Sequence, residues 1–211
     1  MKLFGSWTME ELHQQFGLQE VDSILLMEEW AESGIELTAT EKQELAYLCK
    51  EAQLQSEYWN EDDLKMNFIA PIMRLVYYNV RYLYKAFYQR SFQAKIGEIE
   101  IGGTVDMLVA KGWYSPTIPY FFLHEYKQEQ GGKADARAQL LAAMLAAQTL
   151  NPSEKPVLGV YLVGASWRFT LLQGKKYCIK RLDTTHEHEL IQTYKMLKWV
   201  KAYIEQTLRQ G

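Results

Sequence analysis

From Val105 the chain reads VDMLVAKGWYSPTIPYFFLHEYK, two apolar runs of strand length, and then ADARAQLLAAMLAAQTL, Ala134 to Leu150, with no glycine or proline to interrupt it. Alanine and leucine dominate the second segment, which predicts a helix by propensity, and its small side chains predict close packing on a sheet. VLGVYLVG and WRFTLLQGKKYCIKRL supply two or three further strands, the last pair turning at QGKK. That order predicts an α/β fold with a central mixed sheet flanked by helices.

The segments before Val105 fit around this centre. TMEE, Thr8 to Glu11, has capping-box spacing before a short helix that Gly17 would stop; a second helix is expected over Glu20 to Ser33. A third opens at Thr38 and Glu41, again spaced as a capping box, with Leu45, Leu48 and Leu54 as its apolar stripe. Residues 1–58 are therefore expected as a helical extension packed on a core of residues 59–211. Asn60 should cap the next helix, which Pro71 should kink or end. FYQRSFQAKIGEIEIGGTVDMLVAKG predicts consecutive antiparallel strands near Phe87 to Ile96, Glu98 to Ile101 and Thr104 to Lys111. EQGGK should break the strand PYFFLHEYKQ. A closing helix from THEHEL to about Arg209 has Thr184 and Glu187 as its expected capping box.

The chain of 211 residues can bury one sizeable core, and 48% hydrophobic with 23% charged residues is the balance of an ordinary globular protein. The opening MKLFGSWTMEEL lacks a long apolar core and a cleavage site, and no segment has the length to span a bilayer, so the expectation is a cytoplasmic protein with no membrane partner. Cys49 and Cys178 have no metal-type spacing and read as buried hydrophobes. No cofactor fingerprint or phosphate loop is visible, which predicts no organic cofactor. A net charge of -3 argues against coating nucleic acid by bulk electrostatics, so any contact must be local. The tract RLVYYNVRYLYKAFYQRSFQAK, five basic residues and no acidic one among tyrosines, offers one such place. Its candidate contacts are Arg74, Arg81, Lys85 and Arg90, with Trp113 in the loop between two strands.

The chemistry gathers where the apolar strand ends. Glu125 and Lys127 continue the face that carried Phe121 and Leu123, because strand side chains alternate with period two. Charges there are expensive to desolvate unless paired or at work. If the Asp106 strand is a neighbour, two carboxylates and an ammonium meet at one sheet end. Mg²⁺ would keep both carboxylates ionised and leave room for water and a substrate phosphate. Lys127 could then orient the attacking water and offset charge in the transition state. The plainer alternatives are a turn cap for Asp106, a strand-end ion pair for Glu125 and Lys127, and an exposed helix position for Gln139.

GTVDMLVA, then FFLHEYK, then an alanine-rich helix with Gln139 in ARAQLL, resembles the PD-(D/E)XK nuclease superfamily, the restriction-endonuclease-like fold, over roughly Asn60 to Leu182. The helix NEDDLKMNFIAPIM is similar to the opening helix in the N-terminal nuclease region of type I restriction R subunits. The resemblance implies a metal-dependent nuclease acting on DNA, with Asp106, Glu125 and Glu61 holding Mg²⁺ or Mn²⁺. It also implies Lys127 as the residue that activates water and Gln139 as an orienting or substrate-touching residue. Val105 stands where the motif has proline, and Ala143 where some branches have tyrosine. A different class remains open: a nuclease-fold module that binds nucleic acid or protein in a defence or repair system without cutting. As a nuclease, a chain of this size would use a second copy to cut both strands, with the tyrosine-rich tract or the last helix as the candidate homodimer surface.

Overall fold

The computed structural model describes residues 1–127 and 135–210. In chain order its strands are β1 (Lys2–Leu3), β2 (Gln19–Glu20), β3 (Asn79–Val80), β4 (Tyr84–Ile96), β5 (Ile99–Lys111), β6 (Thr117–Lys127), β7 (Val157–Val163), β8 (Ser166–Gln173) and β9 (Lys176–Asp183). Its α-helices are α1 (Met9–Phe16), α2 (Leu25–Ala31), α3 (Ala39–Gln55), α4 (Glu61–Leu64), α5 (Ala70–Val76), α6 (Ala136–Leu150) and α7 (Glu187–Gln210). All nine strands join one mixed sheet in the order β2-β9-β8-β7-β6-β5-β4-β3, with β1 added parallel to β5. The pairs β4–β5, β5–β6, β7–β8 and β8–β9 are antiparallel, while β6 and β7 run parallel with α6 between them in the chain. The break expected at EQGGK, Glu129 to Lys133, lies outside the described residues.

Two apolar layers sandwich the sheet. One holds α6 with the N-terminal turn Phe4–Ser6 and α1; the other holds α2, α3, α5 and α7. The alanines of α6 are all buried, and Met144 lies so near Gly159 that a Cβ there would meet its sulfur at 2.8 Å. That is why this helix is built of small residues.

The first 58 residues are threaded through both layers rather than set beside them. Trp30 is fully buried, donates to the Met196 carbonyl at 2.8 Å and packs edge-on against Phe122 and Phe169. Glu41 accepts from Lys198 Nζ at 2.8 Å and from the Tyr194 hydroxyl at 2.7 Å, locking α3 to α7. Burial opposes its ionisation, but Lys198, the Thr38 amide and Tyr194 outweigh that and hold its pKa at about 2. The resulting stability is complete above the ordinary carboxylate value and disappears as pH falls through about 2. Glu41→Gln is expected to lower the unfolding free energy at pH 7 by about 2 kcal/mol and to flatten the acid limb, as urea melts at pH 7 and pH 3 would show.

Several local expectations change in the fold. The expected second helix shrinks to α2: its predicted first residue, Glu20, ends β2, paired with β9, and residues 21–24 are irregular. The two strands expected on either side of Gly102 and Gly103 are one strand, β5. These glycines make room: a Cβ on Gly102 would meet Met1 Sδ at 2.8 Å, and one on Gly103 the Phe4 ring at 2.9 Å. Pro71 does not end its helix. The backbone passes from α4 through a π turn, Lys65–Ile69, into α5, where Pro71 sits in the first turn and its missing donor is tolerated. Thr184 is not the cap of α7; its buried hydroxyl donates to the Ala165 carbonyl at 2.6 Å. No helix among the described residues is long and apolar enough to cross a membrane.

Candidate active site

Asp106 sits where β4 and β5 both reverse their facing. Val105 packs with Ala94 and Ile101 on the α6 side, yet Met107, two places on from Val105, packs on the opposite side, and Leu108 and Ala110 take over the α6 side. Phe87 and Ala94 show the same change of parity on β4. The ladder pairs Tyr88 with Met107 and Arg90 with Val105, so the residue opposite Asp106 is Gln89, and its φ of 50° lies in the left-handed region. A side chain other than glycine rarely adopts that conformation, and such strain concentrates at functional sites. Its effect here is to bring Gln89 Nε2 within 2.7 Å of Asp106 Oδ1.

Two further donors complete the Asp106 environment. The regular β5–β6 pairing stops at Met107 and His124, and the next free amide, that of Tyr126, donates to Asp106 Oδ2 at 2.8 Å. Lys65 Nζ lies 3.0 Å from Asp106 Oδ1 and 2.6 Å from Glu61 Oε1. It stands at the start of the π turn, a helical irregularity frequent at functional sites. Burial pulls the Lys65 pKa down, but the two carboxylates outweigh it and leave it raised.

Glu125 and Lys127 share a face: Lys127 Nζ donates to Glu125 Oε1 at 2.6 Å. Glu125 is only 2% exposed and Asp106 only 9%. Burial, followed by the charge of Asp106, pushes the Glu125 pKa up to about 8; Lys127 pulls it partly back and Glu61 adds to the rise. The charges of Asp106 and Glu61 thus both act on Glu125; Lys65 pairs with the first two acids and Lys127 with Glu125. His124 and Tyr126 point to the other face, where the Tyr126 hydroxyl and His124 Nδ1 are 3.0 Å apart in the core. No family model matches the chain, and no curated protein matches it significantly.

The remaining sequence candidates fall in two places. The Gln139 amide oxygen lies against Gly5 of the N-terminal turn, 3.2 Å from where a Cβ would stand, and among the described residues no hydrogen bond ties it to the acids. Arg74 and Lys85 line a cavity of about 310 Å³ with Tyr77 and Tyr88. It adjoins a second cavity of about 240 Å³ that reaches Lys65, Gln89 and Asp106, with Met73 and Tyr88 lining both. Lys85 also lies 5.3 Å over the Trp113 ring, Arg81 lies 4.8 Å over Tyr82, and Arg90 Nη1 donates to the Tyr88 carbonyl at 2.9 Å.

Lys65 and Gln89 are the site residues that the sequence reading missed. Lys65 was within reach of it, since it stands four residues after Glu61 on a predicted helix, the spacing of a helical ion pair. Gln89 gave no signal, because its importance comes from a backbone conformation.

Among the described residues no group of three or more His, Cys, Asp or Glu side chains is placed to hold a metal ion. Mg²⁺, however, asks for only one or two carboxylates, with waters and substrate phosphate filling its other positions. Asp106 and Glu125 meet that requirement. The raised pKa of Glu125 is a further sign of fit, because a nearby cation would relieve the repulsion that burial and Asp106 impose.

Proposed function

We propose that this chain is a metal-dependent nuclease that hydrolyses phosphodiester bonds in DNA, with a PD-(D/E)XK-type site on a restriction-endonuclease-like fold. The observation that carries the reading is that Asp106, beside the point where the β5–β6 pairing ends, is near enough for its charge to act on Glu125, with Lys127 Nζ 2.6 Å from Glu125. The order of helix, strands, Asp106 strand, Glu125–Lys127 strand, helix and strand supports the fold assignment, and the cavities leading from Arg74 and Lys85 toward Asp106 support a polyanionic substrate. Mg²⁺ or Mn²⁺ held by Asp106 and Glu125, with Glu61 beside them, would neutralise charge on the scissile phosphate and make water easier to deprotonate. Gln89 and the Tyr126 amide hold the Asp106 carboxylate in one orientation. Lys127 orients the attacking water and offsets negative charge as the phosphorus–oxygen bond breaks.

One observation favours the binding-module alternative. The Lys65 ammonium bridges Glu61 and Asp106, so part of the acid cluster is already neutralised from within. In the nuclease, Lys65 gives way at Asp106 and keeps Glu61. Titration of the purified protein with Mg²⁺ or Mn²⁺ separates the two readings. At a hundredfold excess over Kd, a specific site adds about 2.7 kcal/mol, which raises the unfolding midpoint by roughly 5 to 10 °C for a chain of this size. DNA should be cut over the same concentration range. An unmoved midpoint with intact DNA would leave only the binding module.

A further inference from the structure

The row of residues that crosses the sheet at Glu125 does not end there. Strand register pairs Glu125 with Tyr161 on β7, Tyr161 with Arg168 on β8, and Arg168 with Arg181 on β9. Directly paired residues project from the same face. Tyr161 packs in the α6-side layer, and the Arg168 guanidinium lies 5.6 Å over its ring. Burial raises the Tyr161 pKa, the charges of Arg168, Arg137 and Arg181 oppose that rise, and the charge of Asp135 adds to it, so all four charged groups stand near its hydroxyl. Arg137 comes from the first turn of α6 and bonds Glu20 and the Tyr177 hydroxyl.

Two arginines directly opposite on neighbouring strands repel and weaken the ladder unless an anion lies between them. Among the described residues no carboxylate lies within salt-bridge distance of Arg168 or Arg181. The acid nearest in the chain to Arg137, Asp135, is engaged in capping α6 through the amides of Arg137 and Ala138. Arg168 Nη1 and Arg137 Nε are buried and have no hydrogen-bond partner among the described residues. The contact with the Tyr161 ring places the Arg168 guanidinium but gives its Nη1 no acceptor. Guanidinium donors grouped in this way match the oxygens of a phosphate, which they can grip in pairs.

We propose that Arg168 and Arg181, with Arg137 beside them, form a phosphate-binding site that holds the strand being cut a few nucleotides from the scissile bond. The identity of the ligand rests on the nuclease reading; the anion site does not. Adjacent strands are about 4.8 Å apart, so Arg168 and Arg181 stand roughly 10 and 14 Å from Glu125 across the sheet. Along the axis of a duplex, at ~3.4 Å of rise per nucleotide of one strand, that span corresponds to about three or four nucleotides. The phosphate could be an internal one of the backbone or one at the strand terminus.

The test is binding without divalent metal, read by fluorescence anisotropy of a labelled single-stranded oligonucleotide with either a 5′-phosphate or a 5′-hydroxyl. Arg168→Gln/Arg181→Gln is expected to weaken binding at least tenfold and to lower the salt slope by about two, while the unfolding midpoint without ligand holds or rises as the repulsion goes. Arg168→Lys, which keeps the charge but loses the paired grip, should fall between, and it serves as the second variant if the double one does not fold. A loss equal for both oligonucleotides assigns an internal phosphate; a loss confined to the phosphorylated one assigns the terminus. Affinity within twofold of wild type for both oligonucleotides would overturn the site. Arginine-dependent binding by a protein that never cuts in Mg²⁺ would leave the site standing and remove the nuclease reading alone.

Discussion

Lys127→Ala should lower Mg²⁺-dependent DNA cleavage by about a thousandfold, the range seen when a group stabilising transition-state charge is removed. The protein should remain folded. The ammonium lies 2.6 Å from Glu125, so its removal takes away a cation that eases ionisation of a nearly buried carboxyl. Near neutral pH that carboxyl keeps its proton and leaves no unpaired buried charge, because burial has already brought its pKa to about 8. Circular dichroism and the unfolding midpoint should therefore stay close to wild type while cutting disappears. Lys127→Arg sharpens the result. It restores the charge but cannot release a proton, so it rescues cleavage if Lys127 acts only electrostatically and fails if a proton must pass through it. Cleavage by Lys127→Ala at the wild-type rate would eliminate the proposed mechanism, whatever the metal does.

The strands and helices were legible where one period dominated the pattern. α6 is visible in its alanines and leucines, β6 in its apolar run, and the caps of α1 and α3 in Thr8–Glu11 and Thr38–Glu41, both present as full capping boxes. Legibility failed where a residue type serves two purposes. Gly102 and Gly103 look like turn residues, but their task is to admit Met1 and Phe4 against β5, a contact made across about a hundred residues of chain. Thr184 and Glu187 have capping-box spacing, yet the Thr184 hydroxyl is claimed by the Ala165 carbonyl. At the site, Glu125 and Lys127 could be placed together because period-two alternation is local. Asp106 could be joined to them only by assuming that β5 and β6 are neighbours. The reversal of facing at Gln89 and Asp106 breaks the alternation on which sequence reading depends, and it determines which donors reach the carboxylate.

Glu125→Gln should separate the stability of the metal-free fold from its chemistry. The Glu125 carboxyl has its pKa raised from 4.5 to about 8, first by burial and then by the charge of Asp106. Below about 4.5 the folded and unfolded chains both carry the proton, and the side chain has no effect on the balance between them. Between about 4.5 and 8 the unfolded chain releases the proton and the folded chain retains it, so stability falls as pH rises; above about 8 the full penalty of a buried anion is present. Each tenfold change in protonation is worth about 1.4 kcal/mol, which puts the whole penalty on the order of 3 to 5 kcal/mol. Glutamine has nearly the same shape and no charge to desolvate. The variant should match wild type at pH 4 and surpass it progressively towards pH 9, by roughly 6 °C or more in unfolding midpoint. It should also lose Mg²⁺-dependent cleavage, since a neutral amide holds a hard cation far less well than a carboxylate. Mg²⁺ should act in the opposite sense on the wild-type protein, favouring the ionised form of Glu125 and releasing a proton on binding. Calorimetric titrations at pH 7 in buffers of different ionisation enthalpy would register that proton. Parallel pH–stability curves for the two proteins would show that Glu125 is not held above its ordinary pKa, and the carboxylate pair would lose its strongest electrostatic reason to take a cation.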